Sequence, residues 1–107
     1  MKEIKAFLHR NRVPDVVHAL RQAGLHAPRA HLSVIDVRGT LAALDARERG
    51  YSVEAGEPMI AEVKLELICP DERVDEALAL IRAHGRTGQS LAGWVFVIDV
   101  AHAEPLR

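Results

Sequence analysis

The stretch HGRTGQSLAGW, residues 84–94, sets Gly85, Gly88 and Gly93 among Arg86, Thr87, Gln89 and Ser90. Glycine bares backbone N–H groups, so a turn of this kind can wrap a phosphate closely. Arg38, directly before Gly39, joins Arg86 and Arg107 as guanidinium groups able to meet a phosphate bidentately. The competing reading is geometric. Glycine ends a helix and turns the chain without a Cβ clash, and a glycine-punctuated join carrying a surface arginine is commonly that and nothing more.

Other reactive residues are less organised. His9, His18, His26, His31, His84 and His102 fall on different elements, and no pair shows the i, i+4 or close Cys/His spacing of a zinc site. They read as solvated or locally bonded groups, so a metal site would have to be assembled across subunits. Cys69 closes an apolar strand and reads as a small buried hydrophobe before it reads as a nucleophile. The run Arg10-Asn11-Arg12 could hold an anion and suggests acyl-phosphate hydrolysis, but no glycine-rich loop surrounds it.

The elements that must position these residues follow from periodicity. Ile4, Ala6 and Leu8 alternate in the first segment, which reads as a strand followed by a polar loop starting at His9. Val13, Val16, Val17, Leu20 and Ala23 then recur at helical spacing, with Pro14 in the first turn and Gly24 after the last. HLSVIDVRG, residues 31–39, reads as a second strand. Residues 40–59 hold no sustained strand period and read as one long loop, of the kind that usually carries function. Ala61, Val63, Leu65 and Leu67 alternate with Glu62, Lys64 and Glu66, giving a strand with one core face and one charged face. Pro70-Asp71-Glu72 opens a second helix whose stripe is Val74, Ala77, Leu78 and Ile81. The last strand, 94–100, is apolar on both faces, so both must be covered. The order is β-α-β-β-α-β, an α+β ferredoxin-like fold: a four-stranded antiparallel sheet with two helices on one face, and an oligomer over the other.

With 107 residues and 49% of them hydrophobic, the chain is expected to be a single domain, 1–107, with a real core. A formal net charge of −1 and the absence of a basic stripe argue against nucleic acid as a partner. One cysteine cannot form an intramolecular disulfide, and MKEIKAFLHR lacks the apolar run of a signal peptide. The expectation is a cytoplasmic protein that meets a membrane only through a partner.

Taken in order, the residues resemble the nitrogen-regulatory PII signalling proteins along almost the whole chain. MKEIKAFL is similar to that family's opening strand. Val37-Arg38-Gly39 is similar to the Val-Lys-Gly before its long T-loop, and Val63-Lys64-Leu65-Glu66-Leu67 to its Val-Lys-Ile-Glu-Ile. Pro70-Asp71-Glu72 with Val74-Asp75 resembles the entry to its second helix, and Arg86-Thr87-Gly88 with Gly93 and Val95-Phe96-Val97 its B-loop and last strand. The resemblance implies a homotrimer that binds adenine nucleotide between subunits and controls a target through the T-loop. Here the T-loop is residues 40–59 and the B-loop 86–94. Ser33, Arg38, Gly39, Arg86, Thr87, Gly88, Gln89, Gly93 and Arg107 would serve the ligand, and Asp45, Arg47, Glu48, Arg49 and Tyr51 the target.

The departures from that pattern shape the expectation. Where the family reads Thr-Gly-Lys-Ile-Gly-Asp-Gly-Lys, this chain reads TGQSLAGW, with Gln89 and Trp94 in place of both lysines. Pro105 and Arg107 stand where the family has two arginines. The glutamine used with magnesium and 2-oxoglutarate falls at Ala43, and the modified tyrosine at Ala55, with Tyr51 out of register. Each lost cation weakens a triphosphate more than a monophosphate, by about 1 kcal/mol or more apiece. The expectation is therefore a sensor that prefers AMP or ADP, takes a different small ligand, or has given up nucleotides, with a membrane transporter as the expected target. The alternative is a trimeric divalent-metal-binding protein of the CutA type.

Overall fold

The alternation in KEIKAFLH forms β1 (Lys2–His9), with Ile4 and Ala6 fully buried, in a computed structural model that describes residues 1–49, 53–54 and 57–107. A 3-10 turn, Arg10–Arg12, leads into α1 (Val13–Gln22), where Pro14 occupies the first turn. β2 (His31–Gly39) follows, then a one-turn helix α2 (Ala46–Arg49) and a two-residue ladder between β3 (Val53–Glu54) and β4 (Glu57–Pro58). The chain continues through β5 (Ile60–Cys69), α3 (Val74–His84) and β6 (Gly93–Asp99).

The main sheet runs in the order β2-β5-β1-β6 with every pair antiparallel. The expected α+β ferredoxin-like arrangement is present. Register explains the core: Ile4 faces Leu67, Ala6 faces Leu65 and Leu8 faces Val63. Ile4, Ala6, Leu8, Leu65 and Leu67 meet Val16 and Leu20 of α1 and Ala77 and Ile81 of α3 in one buried cluster. Burying each such side chain removes apolar surface from water and stabilises the fold by about 1.5–3 kcal/mol.

Because strand residues alternate, the opposite face carries Glu3, Lys5 and Phe7 of β1 with Lys64 and Glu66 of β5. Lys5 lies 3.5 Å from Glu66 and 3.9 Å from Glu3, and Lys64 lies 4.0 Å from Glu66, so a charged ladder occupies the middle of the face. Its flanks are apolar. Phe7 stacks on Phe96 at 6.1 Å, and Trp94, Phe96, Ile98 and, on β2, Ile35 stay exposed. Of β6, only Val95 packs on the core cluster.

Three details differ from the sequence reading. His9 is the last residue of β1 and wholly buried, where a polar loop was expected to begin. The long loop contains α2 and the β3–β4 ladder. β6 is shifted one residue toward the N-terminus, since Gly93 already pairs with Leu8.

Leu65 is completely enclosed. Leu65→Ala is expected to lower stability by about 2–5 kcal/mol in urea denaturation, the range of buried leucine truncations. Cys69, buried at the end of β5, has its thiol pKa raised by desolvation, with nearby Arg73 offsetting part of the effect. Below the unfolded thiol's pKa of about 8.5, folded and unfolded chains are both protonated, and above it the unfolded chain ionises first. Stability is therefore expected to fall as pH rises from about 8.5 toward the folded value, and Cys69→Ala to flatten that slope in thermal melts at stepped pH.

Candidate functional site

At one end of the sheet, His9 of β1 and Val37 of β2 both face Glu62 of β5. Glu62 is 3% exposed and His9 0%. A buried carboxylate needs hydrogen-bond partners, and the shape of the chain supplies one. Its carboxylate lies directly over Gly39, where a Cβ would come within 2.1 Å of Oε2. Past that glycine, the backbone N–H of Leu41 donates to the same Oε2 at 2.8 Å.

The segment then forms α2 for a local reason. Asp45 Oδ1 accepts the N–H groups of Arg47 at 2.9 Å and Glu48 at 3.2 Å, which is an N-cap. The turn directs Glu48 inward. Its Oε2 lies 2.9 Å from His9 Nδ1, and its Oε1 accepts the Leu44 N–H at 2.6 Å. His9 Nε2 is buried and has no hydrogen-bond partner among the described residues. An orphaned polar atom of this kind costs about 1–3 kcal/mol.

Beside this cluster lies the turn after α3. Gly88 has φ +92°, a conformation open to glycine. Thr87 Oγ1 donates to Gln89 Oε1 at 2.8 Å, and Gln89 Nε2 donates to the Ala42 carbonyl at 3.0 Å. Between the turn and residues 37–42 opens a cleft of about 1030 Å3, with Phe7, Glu62 and Lys64 on the sheet side and Leu91 and Trp94 on its rim.

Of the residues expected to serve a ligand, Arg38, Gly39 and Gln89 line this cleft, and Thr87 stands behind Gln89. Arg86 and Gly93 border a neighbouring hollow of about 250 Å3, together with Arg82 and Ile81. Ser33, opposite Glu66 in mid-strand, and Arg107, in the exposed tail, line neither. Gly93 has a packing reason of its own: a Cβ there would lie 2.2 Å from the Phe7 carbonyl oxygen.

The loop residues expected to meet a target divide. Asp45 is spent on the α2 cap and Glu48 on His9, whereas Arg47 is exposed. Tyr51 and the position compared with the modified tyrosine, Ala55, lie outside the described residues, as does the side chain of Arg49. Arg10 and Arg12 do not form an open anion site, because Arg10 pairs with Asp36 at 2.9 Å and Arg12 with Asp15 at 3.0 Å. Arg12 also donates to the His84 carbonyl.

Two side chains that matter most here, His9 and Glu62, were not expected. Glu62 was legible as a strand residue on a charged face. The partner of His9 lies 39 positions away, and no local pattern announces it. The Asp45-x-x-Glu48 spacing, a capping signature before a short helix, was the available signal.

An antiparallel β2-β5-β1-β6 sheet with helices on one face, a long excursion between its second and third long strands, and a glycine turn folded against that excursion define a ferredoxin-like domain with a loop-and-turn cleft. The family model "Nitrogen regulatory protein P-II" matches residues 1–107. Nitrogen regulatory protein P-II of Rhodobacter capsulatus is 30% identical, with all of this chain and 92% of that protein covered. Nitrogen regulatory protein P-II 1 of Methanothermobacter thermautotrophicus is 28% identical over all of this chain and 90% of its own, and that of Escherichia coli K12 is 29% identical over all of this chain and 92% of its own. The chain belongs to the P-II family of regulatory signalling proteins. The divalent-metal alternative finds no support in these matches, and no group of three His, Cys, Asp or Glu among the described residues could hold a metal ion.

The close approaches at Gly93 and Gly39 have different neighbours and different expected outcomes. Gly93→Ala meets backbone and is expected to cost about 1–3 kcal/mol in urea denaturation. Gly39→Ala meets the end of a side chain and pushes the buried Glu62 carboxylate off the Leu41 N–H, so it is also expected to cost about 1–3 kcal/mol and, unlike Gly93→Ala, to speed amide exchange at Leu41. Unchanged Leu41 exchange in Gly39→Ala would contradict this account.

Proposed function

We propose that this P-II family protein senses a small effector in the cleft between residues 37–42 and 89–94, and that it controls a target protein through the loop over residues 40–59. The observation that carries the reading is the hydrogen bond from Gln89 to the Ala42 carbonyl. It joins the turn that the family resemblance assigns to a ligand to the base of the loop that it assigns to a partner. A ligand entering the cleft must share its walls with both.

The charges favour an effector with few phosphates. Lys64 is shared with Glu66, Glu62 is a buried carboxylate beside the cleft, and Gln89 and Trp94 bring no charge. Adding phosphates to a ligand here gains little attraction and adds repulsion from Glu62. AMP or ADP is the ligand class that fits, with Arg38 on the cleft wall and Trp94 at its rim. A membrane transporter is the proposed target, and exposed Arg47, with Arg49 and Tyr51 further along the loop, supplies the contacts. No helix among the described residues is long and apolar enough to cross a membrane, so the protein would reach a transporter as a partner.

The proposed assembly is a homotrimer. Support comes from the open sheet face, where Trp94, Phe96, Ile98 and Ile35 are exposed around a charged ladder that another copy could cover.

Isothermal titration calorimetry with AMP, ADP and ATP is the direct test, with AMP or ADP expected to bind at least about tenfold more tightly than ATP, given one or more kcal/mol lost per missing cation. Tight ATP binding enhanced by 2-oxoglutarate would overturn the ligand assignment. Light scattering on the eluting protein should give three times the 11.8 kDa chain mass.

A further inference from the structure

We infer that residues 41–48 form a latch, closed on the end of the sheet by Glu62 and His9 and tied to the cleft by Gln89, so that withdrawing Gln89 releases the base of the loop. Three tethers from three separate parts of the fold converge on these eight residues. Glu62 of β5 accepts from Leu41 at 2.8 Å, His9 of β1 bonds Glu48 at 2.9 Å, and Gln89 of the turn donates to Ala42 at 3.0 Å. The segment adds bonds of its own, from Leu44 to Glu48 and from Arg47 and Glu48 to Asp45.

What holds the segment down is polar. Leu41 is its one buried hydrophobic side chain; Ala42, Asp45, Ala46 and Arg47 are exposed. A segment fixed by hydrogen bonds with little apolar burial opens well below the free energy of global unfolding. Closure also carries a built-in opposing cost. While the latch is shut, His9 is fully buried and its Nε2 has no hydrogen-bond partner among the described residues.

Gln89 links this balance to the cleft. Its carboxamide is committed to Ala42 on one side and to the Thr87 hydroxyl on the other. A ligand group that takes the carboxamide removes one of the three tethers. Because the tethers share one short segment, loss of one lowers the cost of breaking the others. This step rests on the cleft being the effector site, as proposed above; the latch itself does not.

Amide hydrogen exchange by NMR on the full chain tests it, read at Leu41 and Leu44 against Ala6 and Leu65 in the core. In the native protein, Leu41 and Leu44 should be protected. Glu48→Ala should speed exchange at both by about tenfold or more, with the core amides unchanged. Gln89→Ala is the decisive variant, since within the segment the Gln89 side chain bonds only Ala42 and yet its loss should speed exchange at Leu44, which is bonded to Glu48. Unprotected Leu41 and Leu44 in the native protein would overturn the latch, and so would a Gln89→Ala variant whose Leu44 exchange is unchanged. Adding AMP separates the two proposals. Heat of binding with accelerated Leu44 exchange supports ligand release, and heat without acceleration overturns it. If AMP gives no heat, the nucleotide assignment fails, and the two variants still decide whether the latch exists.

Discussion

One rung of the sheet, where His9 faces Glu62, constrains everything built at that end of the molecule. A carboxylate and an imidazole cannot be left in an apolar environment without partners, because each exchanges strong hydration for whatever the chain supplies. The chain supplies Leu41 and Glu48. To bring them there the end of β2 must lie close against the Glu62 carboxylate, which puts glycine at position 39, and the chain must place a capped helical turn over the end of the sheet. The cleft exists because this folded-back segment stands opposite the Gln89 turn. Had the rung carried two aliphatic residues, the loop could leave the sheet in any direction, and the cleft would have one wall.

Away from that end, the sheet divides its labour by parity. One face is a continuous apolar layer against α1 and α3, and needs nothing beyond shape. The other mixes ion pairs at its centre with aromatic and β-branched side chains at its flanks. Partly exposed ion pairs of this kind add little to the stability of an isolated chain. They set register and orientation when another surface approaches, because a mismatched charge costs more than a matched one gains.

The fold was legible because its elements are long and strongly periodic. β5 reads as a strand from Ala61, Val63, Leu65 and Leu67 alone, and α1 and α3 announce their buried stripes and their ends. The site was legible only in part. Arg38, Gly39 and Gln89 were singled out and do line the cleft. Gly93 was singled out with them, but its lack of a side chain answers to the Phe7 carbonyl across the strand pair. Asp45 and Glu48 were read as loop charges that would meet a target. They are instead a cap and an inward tether, which sequence spacing hints at for the first and conceals for the second. The pairing of His9 with Glu48 depends on how β1, β5 and α2 come together in space, and periodicity carries no information about contacts of that range.

Trp94, exposed to 62% at the cleft rim, is the only tryptophan in the chain. A single indole makes the intrinsic fluorescence of this protein a one-position signal. Its emission colour reports water at the rim, its quenching reports a ring or anion close by, and its polarisation reports how freely that edge of β6 turns. Anything that settles over the cleft or the outer face of β6 must pass within sight of it, so the molecule carries its own optical probe at the place where its binding events are proposed to happen.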